Sequence, residues 1–293
     1  MRLLHLSDLH ISRSPGADSD GVDARAVLAQ LLHDCRRVTD VDLVLVSGDV
    51  ADDGSPEAYA AALDLVGPFA RDRGAAQAWC VGNHDARVAF ATTLGTGHRD
   101  TDDREVDSPT TAEACAATSE VSGVRVVTLD SLVPGAVFGR IGAEQLGWLR
   151  EVLAQPAPAG TVLALHHPPI SVSPEWAAAS LQDAVELADV LRGSDVHAVL
   201  CGHVHAQISG FLGGVPVWVG PGVITRIDLT APRGLVRAVR GAAATVVDLG
   251  GPHSPLFHVL HARDPHAGEQ VYLADGTTWQ YVDDEEEPEA LNA

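Results

Sequence analysis

Four short clusters carry side chains suited to binding metal ions: Asp8-Leu9-His10, Gly48-Asp49, Gly82-Asn83-His84-Asp85 and Gly202-His203-Val204-His205. A fifth, His166-His167-Pro168-Pro169, lies between the last two. Carboxylate, amide and imidazole together suit borderline divalent or trivalent ions, whereas Ca²⁺ favours an all-oxygen set and structural zinc favours thiolates. Taken together, the clusters read as one dinuclear site. Two such ions would bring about +4 to +5, of which Asp8 and Asp49 would remove two charges. The remaining positive charge would let an anionic substrate bind inside a chain whose formal net charge is −21.

Each cluster follows a run of apolar residues, which places the candidate ligands at the C-terminal ends of buried strands, where open α/β sheets build their sites. Leu3 to Leu6, Leu43 to Val46, Ala78 to Val81, Val162 to Leu165 and Val196 to Leu200 are the expected strands. Between them the apolar period is helical over Ala24 to Val38, with Val27, Leu28, Leu31, Leu32 and Cys35 on one face. Ser55-Pro56 opens a helix running to about Ala70, with Ser as N-cap and Pro at its first position. Shorter helices are expected over Ala86 to Leu94, Ile141 to Leu153 and Leu181 to Leu191. Hairpins are expected around Ser122-Gly123 and Gly213-Gly214. Thr245 to Leu249, Leu256 to Ala262 and Gln270 to Leu273 add further strands. Gly95 to Thr111 is polar and aperiodic, and reads as a surface loop rimming the site. The early βα alternation and the β-rich later half predict an α/β protein with a sheet-on-sheet sandwich flanked by helices. The expected organisation is one domain over 1–282 and an acidic, disordered tail over 283–293.

At 293 residues, with 46% hydrophobic and 20% charged residues, the chain can bury a full core. All 19 basic residues are Arg. The negative balance argues against nucleic-acid polymers and anionic membrane surfaces as partners. No stretch reaches the ~18 apolar residues of a membrane span, and no signal peptide is evident, so a cytoplasmic location is expected. Cys35, Cys80, Cys115 and Cys201 form no CxxC pair and read as free thiols in a reducing compartment. No phosphate-binding loop or dinucleotide fingerprint is present.

In order and spacing, the clusters resemble those of the calcineurin-like metallophosphoesterases. Four further segments make the chain similar to the class III cyclic nucleotide phosphodiesterases of bacteria, of the mycobacterial cyclic AMP phosphodiesterase type. These are Gly48-Asp49-Val50-Ala51-Asp52, Gly82-Asn83-His84-Asp85-Ala86-Arg87, Gln145-Leu146-Gly147-Trp148-Leu149 and Leu163 through Ile170. The resemblance implies a four-layer β-sandwich flanked by helices and two ions per chain, iron with manganese or zinc, with manganese sufficient for activity. It implies Asp8, His10 and His205 at the first ion, Asn83, His166 and His203 at the second, and Asp49 bridging both. His166 is taken over His167 on the family pattern alone. His84 is implied as the catalytic proton donor or transition-state stabiliser, with Asn83, His84 and His205 facing substrate and Asp85 orienting His84 or a loop.

The implied activity is hydrolysis of 3′,5′-cyclic nucleotides, cyclic AMP foremost, by attack of a metal-bridging hydroxide. Two other readings compete: a phosphodiesterase or phosphatase for glycerophosphodiesters or another small organophosphate, and a metal-holding scaffold with little catalysis. Related enzymes often dimerise, so a homodimer is an expectation too. Asp52 and Asp53 read as turn residues before a helix. Arg13 reads as a solvated loop residue, with a phosphate contact as the alternative. His5, His33, His98, His253, His258, His261 and His266 read as non-functional.

Overall fold

The computed structural model describes residues 1–106, 114–171, 176–276, 278 and 280–282. The chain begins with β1 (Arg2–Leu6), α1 (Ala24–Asp34), β2 (Leu43–Ser47), α2 (Pro56–Arg71), β3 (Ala76–Cys80), α3 (Arg87–Leu94) and the two-residue β4 (His98–Arg99). There follow β5 (Ala117–Val121), β6 (Val124–Thr128), α4 (Ala143–Leu153), β7 (Thr161–Ala164), α5 (Ala184–Leu191), β8 (Val196–Cys201), β9 (Ile208–Leu212) and β10 (Val215–Val219). The last five strands are β11 (Arg226–Asp228), β12 (Leu235–Val239), β13 (Ala243–Asp248), β14 (Leu256–His261) and β15 (Gln270–Asp275).

Two six-stranded sheets result, ordered β14-β13-β1-β2-β3-β4 and β5-β6-β7-β8-β10-β9. The inner strands β1, β2 and β3 run parallel, as do β6, β7, β8 and β10, with antiparallel strands toward the edges. Strand alternation explains the stacking. Leu3, Leu43, Leu45 and Ala78 turn inward against Val126, Val162, Ala198 and Leu200 of the second sheet. Leu4, Leu6, Val44 and Val46 turn outward beneath Leu28, Leu31, Tyr59, Val66 and Phe90 of the first three helices. On the far side Leu163, Val199 and Val217 pack under Leu146, Leu149, Leu187 and Leu191 of α4 and α5. Burial on both faces accounts for the unbroken apolar runs. The layering is helix, sheet, sheet, helix.

Local signals place most helix ends. The Ser55 hydroxyl accepts from the Ala58 amide, and Pro56 opens α2. Asp23 caps α1 by accepting from the Ala26 amide. The α-helix stops at Asp34 rather than Val38, tightening into a 3₁₀ turn over Cys35–Arg37 before Val38 becomes extended.

Two expectations change. The part of 95–111 that is described, 95–106, is not a loop over the site. It forms the short edge strand β4 and a turn closed by Asp103, which accepts from Gln77 and Arg99. His98 is buried there, 2.6 Å from the Ser119 hydroxyl and 3.0 Å from that of Thr128, and so ties one sheet to the other. The segment is polar because it meets polar partners at a sheet edge. The expected tail over 283–293 lies outside the described residues. The structure also contains a three-stranded sheet, β11-β12-β15, of which only β15 was expected. The strands β11 and β12 are short and interrupted by Pro232, Arg233 and Gly234, so they lack a long apolar run. No helix among the described residues is long and apolar enough to cross a membrane.

Candidate metal centre

The chain segments leaving β1, β2 and β3 meet those leaving β7 and β8 at one end of the sandwich. Among the described residues, eight non-glycine residues take φ in the left-handed region, and five of them are Asp8 (57°), His10 (44°), Asp49 (46°), His203 (75°) and His205 (46°). Asp and His tolerate this region better than β-branched residues do, but it remains sparsely populated, and such strain gathers at functional sites. The reversals turn several side chains from one short segment toward the same point.

Close approach dictates glycines here. A Cβ on Gly82 would strike Asp49 Oδ1 and lie 2.7 Å from the His166 ring; one on Gly48 would lie 2.5 Å from His166 Nδ1. Each glycine therefore admits a ligand from another strand.

The potential ligand atoms of Asp8, His10 and His205 lie within 4.8 Å of one another, as do those of Asp8, Asp49 and His166, and those of His166, His167 and His203. Asp49 sits between the groups, with Oδ2 3.0 Å from His166 Nε2 and 3.7 Å from His10 Nε2. His205 Nε2 is 3.3 Å from Asp8 Oδ1. His203 and His205 go to opposite sides of the centre, because the chain has already left β8 and both backbones are left-handed; a regular strand would have aimed them alike.

The outer nitrogen of several rings is held by another part of the fold. His166 Nδ1 donates to the Ser47 carbonyl at 2.9 Å, His10 Nδ1 to Asp52 at 3.0 Å, and His205 Nδ1 pairs with the Thr225 hydroxyl at 2.7 Å. Such contacts orient an imidazole and leave Nε2 for an ion. His10 Nε2, His203 Nε2 and Asn83 Oδ1 are buried with no hydrogen-bond partner, while His166 Nε2 faces the Asp49 carboxylate at 3.0 Å. Buried polar atoms are rarely orphaned, and orphaned atoms beside a cluster of histidines and two carboxylates fit metal ligation. Burial and the His166 charge push His203 down to about 3, so its ring is neutral and its lone pair free at neutral pH. His166 moves the other way: burial opposes its charge, but Asp49 and Asp8 outweigh it and hold it up to about 9. Burial also opposes the charge on Asp8 and Asp49, yet the surrounding histidines hold both below the usual carboxylate range. Two carboxylates, four imidazoles and one amide thus fit a dinuclear centre.

His167 is equally buried, with Nδ1 2.8 Å from the Ser131 hydroxyl and Nε2 unpartnered beside His203. It is His166, however, that contacts the Asp49 carboxylate.

His84 lies at the cavity face, half-exposed, with Nδ1 3.1 Å from the Asp52 carbonyl and 3.3 Å from Asp52 Oδ1. Burial works against its charge, but Asp52 and Asp49 hold it up to about 9. Asp52 itself is held low by its hydrogen bonds to His10 and His84. Treating Asp52 as a plain turn residue missed this role, as Thr225 was missed; neither carries a local signal beyond its own motif. Asp85 does not touch His84. It clamps the neighbouring loops by accepting from the amides of Val50, Ala51 and Gly82. Arg13 is exposed and pairs with Asp53 and Glu57, away from the centre.

The secondary motifs interlock. Arg87 forks onto buried Asp130 at 2.5 and 2.9 Å, and Gln145 exchanges hydrogen bonds with the Asp130 backbone. They brace the loop carrying Asn83 and His84.

Residues 1–207 match the family model described as calcineurin-like phosphoesterase. The chain belongs to that family. A Rhodococcus erythropolis protein named "Probable cyclic nucleotide phosphodiesterase" is 41% identical over 245 residues, covering 82% of this chain and 76% of that protein. A "cAMP/cGMP dual specificity phosphodiesterase" of Mycobacterium tuberculosis is 39% identical over 242 residues, covering 82% and 73%. Among solved structures, a dimetal phosphatase from Danio rerio shares the fold at a TM-score of 0.54 and 16% identity, covering 89% of this chain and 98% of that one.

Proposed function

We propose that this calcineurin-like phosphoesterase hydrolyses 3′,5′-cyclic nucleotides, cyclic AMP among them, using two metal ions per chain. The observation that carries the reading is the gathering of His10, His166, His203 and His205 about Asp8 and Asp49, with the buried, unpartnered Asn83 Oδ1 on the same cavity. The names of relatives at 41% and 39% identity support the substrate class. Asp8, His10 and His205 would hold one ion, Asn83, His166 and His203 the other, with Asp49 shared. Iron paired with manganese or zinc suits this donor set, and manganese alone would sustain turnover. Bound ions of this kind polarise phosphoryl oxygens and make water a nucleophile near neutral pH.

The chain's own residues do the rest. His84, protonated through its contacts with Asp52, faces the cavity and would give its proton to the departing ribose oxygen. Asn83 and His205 border the same cavity and would help fix the phosphate. Residues 1–282 would make up the catalytic domain. A kinetic panel with Mn²⁺ tests the reading, comparing 3′,5′- and 2′,3′-cyclic nucleotides, glycerophosphodiesters and phosphomonoesters. Cyclic AMP should turn over, other cyclic nucleotides and aryl diesters should also be cleaved, and monoesters should be poorer. Efficient cleavage of glycerophosphodiesters with no cyclic nucleotide turned over would reject the substrate while leaving the metal centre intact.

A further inference from the structure

The cavity above the metal centre, about 400 Å³, has two chemically different ends. Histidines, Asn83 and Asp49 form one. The other holds Tyr272 of β15, Tyr281 bridged beside it, and the acidic turn at Asp18 and Asp20, whereas Trp176 belongs with the first, its ring 5.8 Å from that of His203. Tyr281 is the unusual member. It is 67% exposed, yet it is held at both ends. Its ring stacks on Tyr272 at 5.3 Å between centroids and 13° between planes, and its hydroxyl donates to Asp20 at 3.0 Å. Its backbone bridges Ala274, and the Val282 amide donates to the Leu273 carbonyl at 2.9 Å. Burial leads the forces that push the phenol up, followed by the hydrogen bond to Asp20 and the charges of Asp20, Asp18 and Asp52.

An aromatic ring fixed in place and left open to solvent at the mouth of a site is a surface ready for a flat partner, since little ordering entropy remains to be lost. The polarity along the cavity specifies that partner further. Its metal end attracts an anion, whereas its far end offers an aromatic face edged by carboxylates that attract N–H donors. A phosphate joined to an amine-bearing planar ring matches both. We propose that Tyr281, backed by Tyr272 and tethered by Asp20, is the stacking platform for the nucleobase. This rests on the cyclic nucleotide reading for its substrate, but the platform can be tested apart from it.

The reporter is hydrolysis of methyl p-nitrophenyl phosphate by the Mn²⁺-loaded full chain, inhibited either by AMP or by ribose 5-phosphate. In the wild type AMP should inhibit about tenfold more strongly, the scale of one base–aromatic stack. In Tyr281→Ala that ratio should collapse toward one, with ribose 5-phosphate inhibition unchanged. Tyr281→Phe keeps the ring and its stack on Tyr272 but loses the tether to Asp20, so the ratio should fall only part-way. A wild-type ratio near one, a ratio that survives Tyr281→Ala, a ratio lost in Tyr281→Phe, or equal loss of both inhibitors would each overturn the platform. Cyclic AMP is assayed as substrate alongside: no turnover with the AMP preference intact would reject the cyclic nucleotide reading and leave the platform standing.

Discussion

At the scale of residues, Asp49 and His84 separate ion binding from chemistry. Asp49 lies within 3.7 Å of both His10 and His166, which is the ground for proposing that it serves both ions. Asp49→Ala should lose or cripple both positions; elemental analysis finding two tightly held ions in that variant would remove Asp49 as the bridge. His84 touches the centre differently. Its amide donates to Asp49 and its ring is held by Asp52, and although its ring lies within ligand distance of His10 and Asp49, it stands outside the proposed ligand set. His84→Ala should keep both ions and lose roughly 10²–10⁴ in turnover, the usual scale for a positioned acid or base. Undiminished turnover in the metal-replete variant would take His84 out of the reaction.

Elements matter because the ligands sit on the chain just past the strands, where nothing in a sheet ladder fixes them. The loop between β3 and α3 is held from outside by Arg87, whose guanidinium forks onto Asp130 and also reaches the Leu132 carbonyl. Asp130 is buried, so removing the cation leaves a desolvated carboxylate. Arg87→Met should lower unfolding stability by about 3 kcal/mol, the range for breaking a buried pair from one side. Urea unfolding provides the measurement, and a midpoint equal to wild type would show that the fork does not brace this loop.

For the whole molecule, the contact between sheets makes a pH dependence. Burial pushes His98 down to about 4, against an ordinary value of 6.5. As pH falls below 6.5 the unfolded chain takes up the proton first, so the stability His98 contributes is complete above that value and lost toward pH 4. The effect amounts to at most about 3 kcal/mol. His5, also buried and pushed down to about 4, acts in the same sense. His98→Gln should therefore flatten, not abolish, the loss of stability between pH 6.5 and 4; an unaltered profile would mean that His98 does not titrate this way. Truncation after Val282 retains Tyr281 and the strand contacts of β15, so thermal stability and turnover should remain near wild type. A large loss of either would make 283–293 part of the working enzyme.

Much of this was legible in the chain. Apolar runs ending in Asp, Asn and His gave the strands and the candidate ligands, because a buried parallel strand and the turn after it are both local patterns. Ser55-Pro56 marked a helix start for the same reason. What stayed hidden depends on how distant segments meet. Asp52 reads as a turn residue until two sheet strands place it beside His10, and Thr225 is unremarkable until the chain after β10 passes His205. Spacing could not decide which sides His203 and His205 face, since left-handed backbone at both breaks the strand alternation. Nor could it show that His98 pins the sheets together or that Tyr272 and Tyr281 line the same cavity as the candidate ligands. The sequence by itself determined the donor chemistry and the elements that carry it. Tertiary structure decided which nitrogen points inward, what holds each ring, and which surface faces the centre, because those contacts span as many as 261 residues and leave no periodic trace in the chain.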